Sequence, residues 1–299
     1  MFIVKTFSMR ELVEAGDVVH KALNYALNII HPDMPVLELC EKIEQFIIAQ
    51  GAKPAFPVNI GINEVAAHYT AVRADEKKIP KNSVVKIDIG AHKEGYIVDA
   101  AVTVALGTNA YDGLVKAAYR ALRGAQDMMR PGVKAWQVGE AIEASIKEAG
   151  YKPIYNLTGH RIERYNLHAG DIVPNYGDKS AAQAFRVHDV YAVEPFATNG
   201  KGFVIDNNII TIFRLMRRKS KKYQKYIDII YDYSNNLPFS PRWFDQIPEE
   251  FYREGLSEGV LYGYEVLVEE GRGFVAQFED TFLIEEDGAR PLAGTLELI

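Results

Sequence analysis

The stretch VVKIDIGAHKEGYIVDAAVTV, residues 84 to 104, places two aspartates, Asp88 and Asp99, inside two apolar runs rich in β-branched residues. Each run has the composition of a strand, and the polar HKEGY between them, with its glycine, suits a short turn. The sequence therefore predicts a β-hairpin. If the turn centres between Lys93 and Glu94, antiparallel pairing sets Asp88 directly opposite Asp99.

Two opposed carboxylates in this hairpin raise an electrostatic problem. Side-chain alternation places Val85 and Ile87 on the core face of the strand and Asp88 on the other face. Two like charges about 4 Å apart repel by roughly 4 kcal/mol at an effective dielectric near 20. Either positive charge lies between the carboxylates, or one of them holds a proton, or the pair is exposed to water and harmless.

The bulk composition is that of an ordinary globular protein. The 299 residues, 48% hydrophobic and 25% charged, suffice for two ordinary domains or one large domain with an insertion. The net charge of -6 argues against nucleic acid as the main ligand. Cys40 is the only cysteine, which excludes an intrachain disulfide. Since no signal-peptide pattern or membrane-spanning run occurs, we expect a cytoplasmic protein without membrane association.

Helix patterns recur at a constant offset along the chain. One helix opens at Ser8, and a second covers about residues 35 to 50 and stops at Gly51. GAKP at 51 to 54 returns 99 residues later as GYKP at 150 to 153. Shifted by the same 99 residues, the apolar positions Ala22, Leu23 and Ala26 fall on Ala121, Leu122 and Ala125. This run of matches predicts an internal duplication.

The duplication extends to the strands that carry the acids. VVKID (84 to 88) has a counterpart in VYAVE (190 to 194), and YIVDAAVTV (96 to 104) has one in AQFEDTFLI (276 to 284). This register lays Asp88 against Glu194 and Asp99 against Glu279. Two similar halves would form a sheet with helices on one side and four converging carboxylates on the other. Such a convergence favours a metal site.

Blocks that contain histidine complete the pattern. His68 lies in FPVNIGINEVAAHYTA, and both His160 and His168 lie in NLTGHRIERYNLHAGDIVP. Together with KIDIG, GYIVDAAVTV, VEPFAT and FEDT, these blocks resemble the methionine aminopeptidases of the type II, archaeal and eukaryotic kind. The resemblance covers nearly the whole chain. It implies an α+β architecture, the pita-bread fold of creatinase and the aminopeptidases, with a pseudo-two-fold antiparallel sheet, covering helices and a helical insertion.

The resemblance implies a centre of two divalent metal ions. The implied ligands are Asp88, Asp99, His160, Glu194 and Glu279, with Asp99 and Glu279 bridging the two ions. Four carboxylates and a neutral imidazole offset the four positive charges of two such ions. Because the ligands are oxygen and nitrogen without a thiolate, they favour Mn²⁺, Fe²⁺ or Co²⁺, with Zn²⁺ also a candidate, over a structural zinc site.

The resemblance also implies which residues meet the substrate. Two ions would acidify a water molecule and polarise the scissile carbonyl. Glu194 would carry the proton from the water to the leaving amine, and His68 and His168 would contact the substrate amide and carbonyl. Matched to the methionine side-chain pocket, though equally compatible with the core, are Phe56, Leu167 and Tyr264. The implied reaction removes the N-terminal methionine of nascent polypeptides.

Residues 197–271 have no counterpart in the first half of the chain. We therefore expect a catalytic domain of residues 1–196 and 272–299, and a helical insertion subdomain over residues 197–271. The segment IFRLMRRKSKKYQKYIDIIYDY is a helix candidate, and Arg214 to Lys225 carries seven positive charges without an acid. Such a run is either a solvated helix face or a contact for ribosomal RNA. We expect a monomer.

Two other functions are compatible with the motifs. A proline dipeptidase or Xaa-Pro aminopeptidase uses the same five-ligand pattern, although the AAHYT block and the insertion favour methionine removal. A non-catalytic homologue that acts as a binding protein would have lost ligands, and all five are present here. Gly61 and Ala71 stand where the resemblance leads us to expect Ser and Pro, which leaves the chemistry unchanged.

Overall fold

The computed structural model describes residues 8–299, in which paired helices flank two half-sheets. The helices are α1 (Met9–Ile29), α2 (Val36–Ala49), α3 (Asp112–Met128), α4 (Ala135–Glu148), α5 (Gln224–Ser234) and α6 (Glu249–Ser257). Within residues 8–299, no helix has the length and apolar character needed to cross a membrane.

The strands fall into four small antiparallel sheets. They are β1 (Lys53–Pro54), β2 (Asn59–Ile62), β3 (Val65–Ala67), β4 (Ser83–Lys93), β5 (Tyr96–Leu106), β6 (Lys152–Pro153), β7 (Thr158–Arg161), β8 (Ile172–Pro174), β9 (Val190–Val193), β10 (Phe196–Thr198), β11 (Val204–Leu215), β12 (Leu261–Glu269), β13 (Val275–Gln277), β14 (Asp280–Ile284) and β15 (Ala289–Pro291). In the first half β4 is flanked by β1, β2 and β5, and in the second β9 is flanked by β14 and β7.

The predicted internal duplication is confirmed. The elements α2, β1 and β2 recur 99 residues later as α4, β6 and β7. At the ends of the matching helices Gly51 and Gly150 have φ of 74° and 82°, in the left-handed region that glycine favours. The matched alanines and leucines of α1 and α3 are fully buried: Ala22, Leu23, Ala26, Ala121, Leu122 and Ala125. The same helix surfaces therefore pack into the core in both halves.

The strands β4 and β5 form the predicted hairpin, with a turn one position later than expected. Lys93 pairs with Tyr96, which leaves Glu94 and Gly95 as a two-residue turn. Both turn residues have positive φ, 50° for Glu94 and 86° for Gly95. A type I′ turn requires this geometry, and its twist matches that of the strands.

The later turn changes the register of the two aspartates. Asp88 lies opposite Ala101, and Asp99 lies opposite Gly90. The prediction that Asp88 and Asp99 are directly opposed is therefore wrong. Because moving the turn by one position moves each partner by two residues, both carboxylates remain on the same face of the hairpin, in a diagonal arrangement.

The two halves of the molecule are joined along a seam between β5 and the β13 to β14 segment. Ala101 and Glu279 exchange two backbone hydrogen bonds of 3.2 and 2.9 Å. Beside this pair the Thr281 hydroxyl donates to the Asp99 carbonyl at 2.7 Å and accepts from the Asp99 amide at 2.8 Å. The seam thereby fixes the backbone of both Asp99 and Glu279.

An equivalent threonine contact lies on the other side of the Ala101 and Glu279 pair. The Thr103 hydroxyl donates to the Gln277 carbonyl at 2.6 Å and accepts from the Gln277 amide at 2.8 Å. Both threonines are fully buried. Since buried backbone groups must be hydrogen-bonded, the hydroxyls complete the pairing where the two half-sheets have no regular ladder.

The segment between β10 and β13 has its own hydrophobic cluster. β11 and β12 form an antiparallel pair, β12 also pairs with β3, and the helices α5 and α6 pack against the pair. Buried members of the cluster are Phe213, Leu215, Tyr223, Ile227, Ile230, Phe239, Phe244, Ile247, Phe251, Tyr252, Val260 and Leu261. The division into a catalytic domain and an insertion subdomain stays a prediction, and residues 197–271 are called the insertion only as a name for this segment.

The predicted helix over residues 212–233 is wrong in its first half. Ile212 to Leu215 are the end of β11, and α5 begins only at Gln224. Phe213 and Leu215 pack into the insertion cluster, whereas Ile212 lies on the opposite face, so the apolar residues alternate with the period of a strand. The basic run Arg214 to Lys225 is accordingly a strand end, a turn and the start of a helix.

A buried ion pair joins the insertion to α2. Arg242 forms two hydrogen bonds to the Glu44 carboxylate, and the two side chains are 4% and 7% exposed. Glu44 also accepts from the Trp243 indole at 2.9 Å and from the Val58 amide at 3.1 Å. Arg242 donates further to the Thr70 hydroxyl at 3.0 Å. All the contacts hold the loop after Pro238 against the first half of the molecule.

We predict that Arg242→Met destabilises the fold by about 3 to 5 kcal/mol, because removing one partner leaves the Glu44 carboxylate buried without its counter-charge. Denaturant unfolding measures the change. Arg10→Met is the matched control, since the Arg10 to Glu14 pair is exposed, 82% and 37%, and should matter little. Equal stability of the two variants would show that the buried pair does not hold the loop.

Candidate metal centre

The ten residues predicted to form the site all line a single cavity. They are Phe56, His68, Asp88, Asp99, His160, Leu167, His168, Glu194, Tyr264 and Glu279. Four residues that were not predicted complete the lining: Asn59, Ala67, Ile212 and Pro238. Residues spread over most of the sequence thus meet at one place in the fold.

The five predicted metal ligands come from different strands of the two halves. Asp88 lies on β4, Asp99 on β5 and His160 on β7, while Glu194 follows β9 and Glu279 precedes β14. Donor atoms of Asp99, His160 and Glu279 lie within 4.8 Å of one another. This group could hold a metal ion.

The distances around His160 are those of donors that converge without bonding one another. Its Nε2 lies 3.6 Å from Asp99 Oδ2 and 3.8 Å from Glu194 Oε1. Both distances exceed a good hydrogen bond. The arrangement leaves space between the imidazole and the two carboxylates.

Burial makes the four carboxyl groups resist ionisation. It raises the pKa of Asp99 to about 7, and it is the largest cause of the strongly raised pKa of Asp88, Glu194 and Glu279. Negative charge on neighbouring carboxylates raises the pKa of those three groups further. The alternative of a harmless exposed pair is wrong, since Asp99 is 4% exposed. Either bound protons or a bound cation must therefore offset the charge of the four carboxyl groups.

Buried carboxylate oxygens without hydrogen-bond partners favour a bound cation over protons in this cluster. Asp88 Oδ1 and Asp99 Oδ1 are buried and have no hydrogen-bond partner within the described part of the chain. Buried polar atoms without partners are rare in native proteins, and a bound ion can satisfy them. Burial also lowers the pKa of His160 to about 4, so its imidazole is neutral and able to bind a metal. The donor set therefore fits divalent ions that accept oxygen and nitrogen ligands.

A side chain that orients one of these carboxylates was missed in the sequence. Gln277 is 1% exposed, and its Nε2 donates to Glu279 Oε2 at 2.9 Å. Such outer contacts fix the direction of a metal ligand. The available signal in the sequence was spacing. Gln277 lies two residues before Glu279, and side chains two residues apart on an extended chain lie on the same face.

His68 is held in a particular orientation by the insertion. Its φ of 64° is uncommon for a residue other than glycine. Nδ1 lies 3.1 Å from the Glu265 carbonyl, and Thr211 Oγ1 donates to the His68 carbonyl at 3.3 Å. A carbonyl only accepts, so Nδ1 carries the proton, and Nε2 of the neutral ring is left as an acceptor. Burial, which lowers the pKa of His68, keeps the ring neutral.

His168 and Tyr264 continue the cavity wall from His160 and His68. The His168 ring lies 4.4 Å from the His160 ring, and the Tyr264 ring lies 5.4 Å from His68 and 6.3 Å from His168. Burial, aided by the neighbouring His160, lowers the pKa of His168 to about 2. This wall therefore presents neutral imidazoles beside the acidic cluster.

Comparison with known proteins identifies the family of this chain. Residues 10–286 match the model of metallopeptidase family M24. The chain belongs to this family. The methionine aminopeptidase of Pyrococcus abyssi is 43% identical to this chain over 286 residues. The alignment covers 93% of this chain and 96% of the relative. The predicted resemblance is confirmed.

Solved structures show the M24 fold. A thermophilic Arx1 aligns with a TM-score of 0.85 at 18% identity, covering 98% of this chain and 94% of its own. The methionine aminopeptidase of Thermotoga maritima aligns with a TM-score of 0.71 at 22% identity, covering 98% and 99%. The α+β pita-bread fold expected from the resemblance is therefore confirmed.

We predict that metal uptake by the metal-free protein releases protons, because the raised pKa of each carboxyl group, about 7 for Asp99, favours the protonated form and a cation displaces the proton. Titration calorimetry with Mn²⁺ in two buffers of different ionisation enthalpy measures the number released. The apparent affinity should weaken as the pH falls from 8 to 5.5. Asp99→Asn removes one of these carboxyl groups, so it should bind less Mn²⁺ and release fewer protons.

The same shifts predict the pH dependence of stability. Each carboxyl has a raised pKa in the folded chain, so the metal-free fold loses stability as the pH rises through these values. Added Mn²⁺ should therefore raise the melting temperature more at pH 8 than at pH 5.5. A metal affinity and a melting shift that do not depend on pH would contradict the assignment of buried, protonated carboxyl groups to this cluster.

Proposed function

We propose that this M24 metallopeptidase removes the N-terminal methionine from nascent polypeptides with the help of two divalent ions. The main support is the convergence of the ten predicted residues, including the five predicted metal ligands, on one cavity. Relatives about 40% identical over 93% of the chain are methionine aminopeptidases. We further propose that the protein acts as a monomer in the cytoplasm, where nascent chains are made.

The residues that would hold the ions are Asp88, Asp99, His160, Glu194 and Glu279. Divalent ions bound there would supply Lewis-acid activation of a water molecule and of the scissile carbonyl, and an attachment point for the free α-amine. The chain supplies their position, because the seam holds the backbone of Asp99 and Glu279. Mn²⁺, Fe²⁺, Co²⁺ and Zn²⁺ are the candidates.

The chain's own groups move the proton and orient the peptide. Glu194 would take a proton on Oε1 from the attacking water and pass it to the leaving amine, as a general base and then a general acid. Neutral His68 would accept a hydrogen bond from the substrate amide through Nε2, and His168 would contact the substrate carbonyl. Phe56, Leu167 and Tyr264 would receive the methionine side chain, because they supply apolar walls.

The experiment that tests this function uses two kinds of peptide. We predict that the metal-free protein, reloaded in turn with Mn²⁺, Fe²⁺, Co²⁺ and Zn²⁺, releases Met from Met-Ala-Ser but not Ala from Ala-Pro-Ser. Amino acid analysis of the products measures both reactions. Release from Ala-Pro-Ser alone would identify an Xaa-Pro peptidase, and metal binding without hydrolysis would identify a non-catalytic homologue.

Two sets of variants separate metal binding from substrate contact in this assay. Asp99→Asn and Glu279→Gln should lose both metal and activity, since each removes a shared ligand. His68→Ala should lower turnover by about 100-fold and keep its metal, because His68 is assigned to the substrate. Loss of metal from His68→Ala would make His68 a ligand and overturn its assignment.

We also propose that the basic segment brings the enzyme to ribosomal RNA. The seven charged side chains of this segment have different surroundings. Arg218 stacks on Tyr231, and Lys222 pairs with Glu254 and Glu258. The charges that remain exposed for phosphate contacts are Arg217, Lys219, Lys221 and Lys225. The exposed turn, rather than a helix face, would make the contact.

Reversal of these four exposed charges to Glu tests the proposal. We predict that it weakens co-sedimentation with ribosomes steeply and leaves the release of Met from Met-Ala-Ser unchanged. Wild-type co-sedimentation should fade as salt rises, because phosphate contacts release counterions. Equal sedimentation of the variant and the wild type at low salt would mean that the segment is only solvated.

A further inference from the structure

Arg214 differs from the rest of the basic segment because it lies on β11, two residues beyond Ile212, which lines the active-site cavity. In the β11 and β12 pair, Ile212 is opposite Tyr264, and Arg214 is opposite Tyr262. Ile212 and Tyr264 both line the cavity. Since side chains alternate along a strand, Arg214 lies on the same face of β11 as Ile212, just beyond the lining.

The neighbours of Arg214 on the strand support this orientation. Phe213 and Leu215 are both buried in the hydrophobic cluster of the insertion, on the opposite face. The Tyr262 ring, across from Arg214, contacts the Tyr264 ring at 5.0 Å with an interplanar angle of 90°. The wall of the cavity therefore continues outward through Tyr264 and Tyr262 to the position of Arg214.

The guanidinium of Arg214 has unused hydrogen-bonding capacity. Its Nε is buried and has no hydrogen-bond partner among residues 8–299. Nη2 contacts the Met216 sulfur at 3.6 Å, and a thioether is a weak acceptor. No ion pair joins Arg214 to a carboxylate in the described chain, unlike Arg242, which is paired with Glu44 and also donates to Thr70 and the Ala71 carbonyl. A half-buried guanidinium with free donors is suited to an acceptor from outside the chain.

The charge of Arg214 acts on the interior of the cavity. At Tyr264, where burial raises the pKa of the phenol, the charge of Arg214 lowers it. Arg214 is thus close to Tyr264, one of the side chains proposed to contact the peptide.

The mouth beside Arg214 offers an open surface for the rest of the substrate. Tyr262 and Met216 are 50% and 51% exposed, although both are large apolar side chains. Arg214 is two residues along β11 from Ile212, about 7 Å at the rise of a strand. An extended peptide covers the same distance in two residues. With the first residue of the substrate in the cavity, the third is the one that reaches Arg214.

We propose that Arg214 is a specificity-determining residue that binds an acidic side chain at the third position of the substrate polypeptide. The proposal rests on the proposed aminopeptidase function. A guanidinium presents paired N–H donors that match the two oxygens of a carboxylate, and such charge-assisted bonds are stronger than neutral ones. The enzyme would accordingly favour polypeptides that begin Met-Ala-Glu over those that begin Met-Ala-Gln or Met-Ala-Lys.

The test compares kcat and KM for Met-Ala-Glu-Ser, Met-Ala-Gln-Ser and Met-Ala-Lys-Ser. Glu and Gln have nearly the same shape, so their ratio isolates the charge. For the wild type we expect kcat/KM to be about tenfold higher with Glu than with Gln, mainly through a lower KM. Arg214→Met should bring the ratio close to one. Arg214→Lys should keep part of the preference, and Arg214→Glu should favour the Lys peptide.

Arg253→Met is the matched control, because it removes the same charge from an exposed position on α6 of the insertion. It should keep the wild-type ratio. The inference is overturned if the wild type cleaves the Glu and Gln peptides equally well, or if Arg214→Met retains the preference. Cleavage of the Gln peptide by the wild type tests the proposed function separately, and failure to release Met from any peptide would overturn both.

Discussion

Four carboxylates that converge on the seam between two half-sheets are the constraint on which the rest of the structure depends. Burial raises the pKa of all four, and neighbouring negative charges raise those of Asp88, Glu194 and Glu279 further, so a closed seam requires either protons or metal ions between them. The backbone of Asp99 and Glu279 cannot relax this repulsion, because the Ala101 bridge and the Thr281 hydroxyl hold it in place. The core that packs behind the seam therefore maintains an electrostatic strain that the proposed pair of divalent cations would relieve. In that proposal one set of side chains links stability to catalysis.

The duplicated halves and the insertion make different contributions to the cavity. The halves supply all five predicted metal ligands, one from each of five strands or strand ends. The insertion supplies Tyr264, Ile212 and Pro238, and it also fixes His68 through the Glu265 carbonyl and the Thr211 hydroxyl. The buried pair of Glu44 and Arg242 holds the insertion against α2. On the proposed roles, metal chemistry would reside in the symmetric part of the fold, and substrate selection largely where the symmetry is broken.

The sequence predicted the symmetric part of the site well, because repetition provides an internal comparison. The matches of Asp88 with Glu194 and Asp99 with Glu279 identified the four carboxylates before any geometry was known. The register of the hairpin was wrong by one turn position, since HKEGY has several short turns available and only the strand twist selects Glu94 and Gly95. Ile212 and Pro238 were missed because the insertion has no second copy. The contact of Glu44 with Arg242, which are 198 residues apart, left no local pattern in the sequence.

The proposed chemistry depends on two metal ions that the four carboxylates and His160 surround. Anomalous diffraction from crystals grown with Mn²⁺ locates such ions directly. We expect two anomalous peaks in the cavity, both in contact with Asp99 and Glu279, one also with Asp88 and the other also with His160 and Glu194. A difference map without peaks at the seam, or with Mn²⁺ bound only elsewhere on the molecule, would contradict the dinuclear centre.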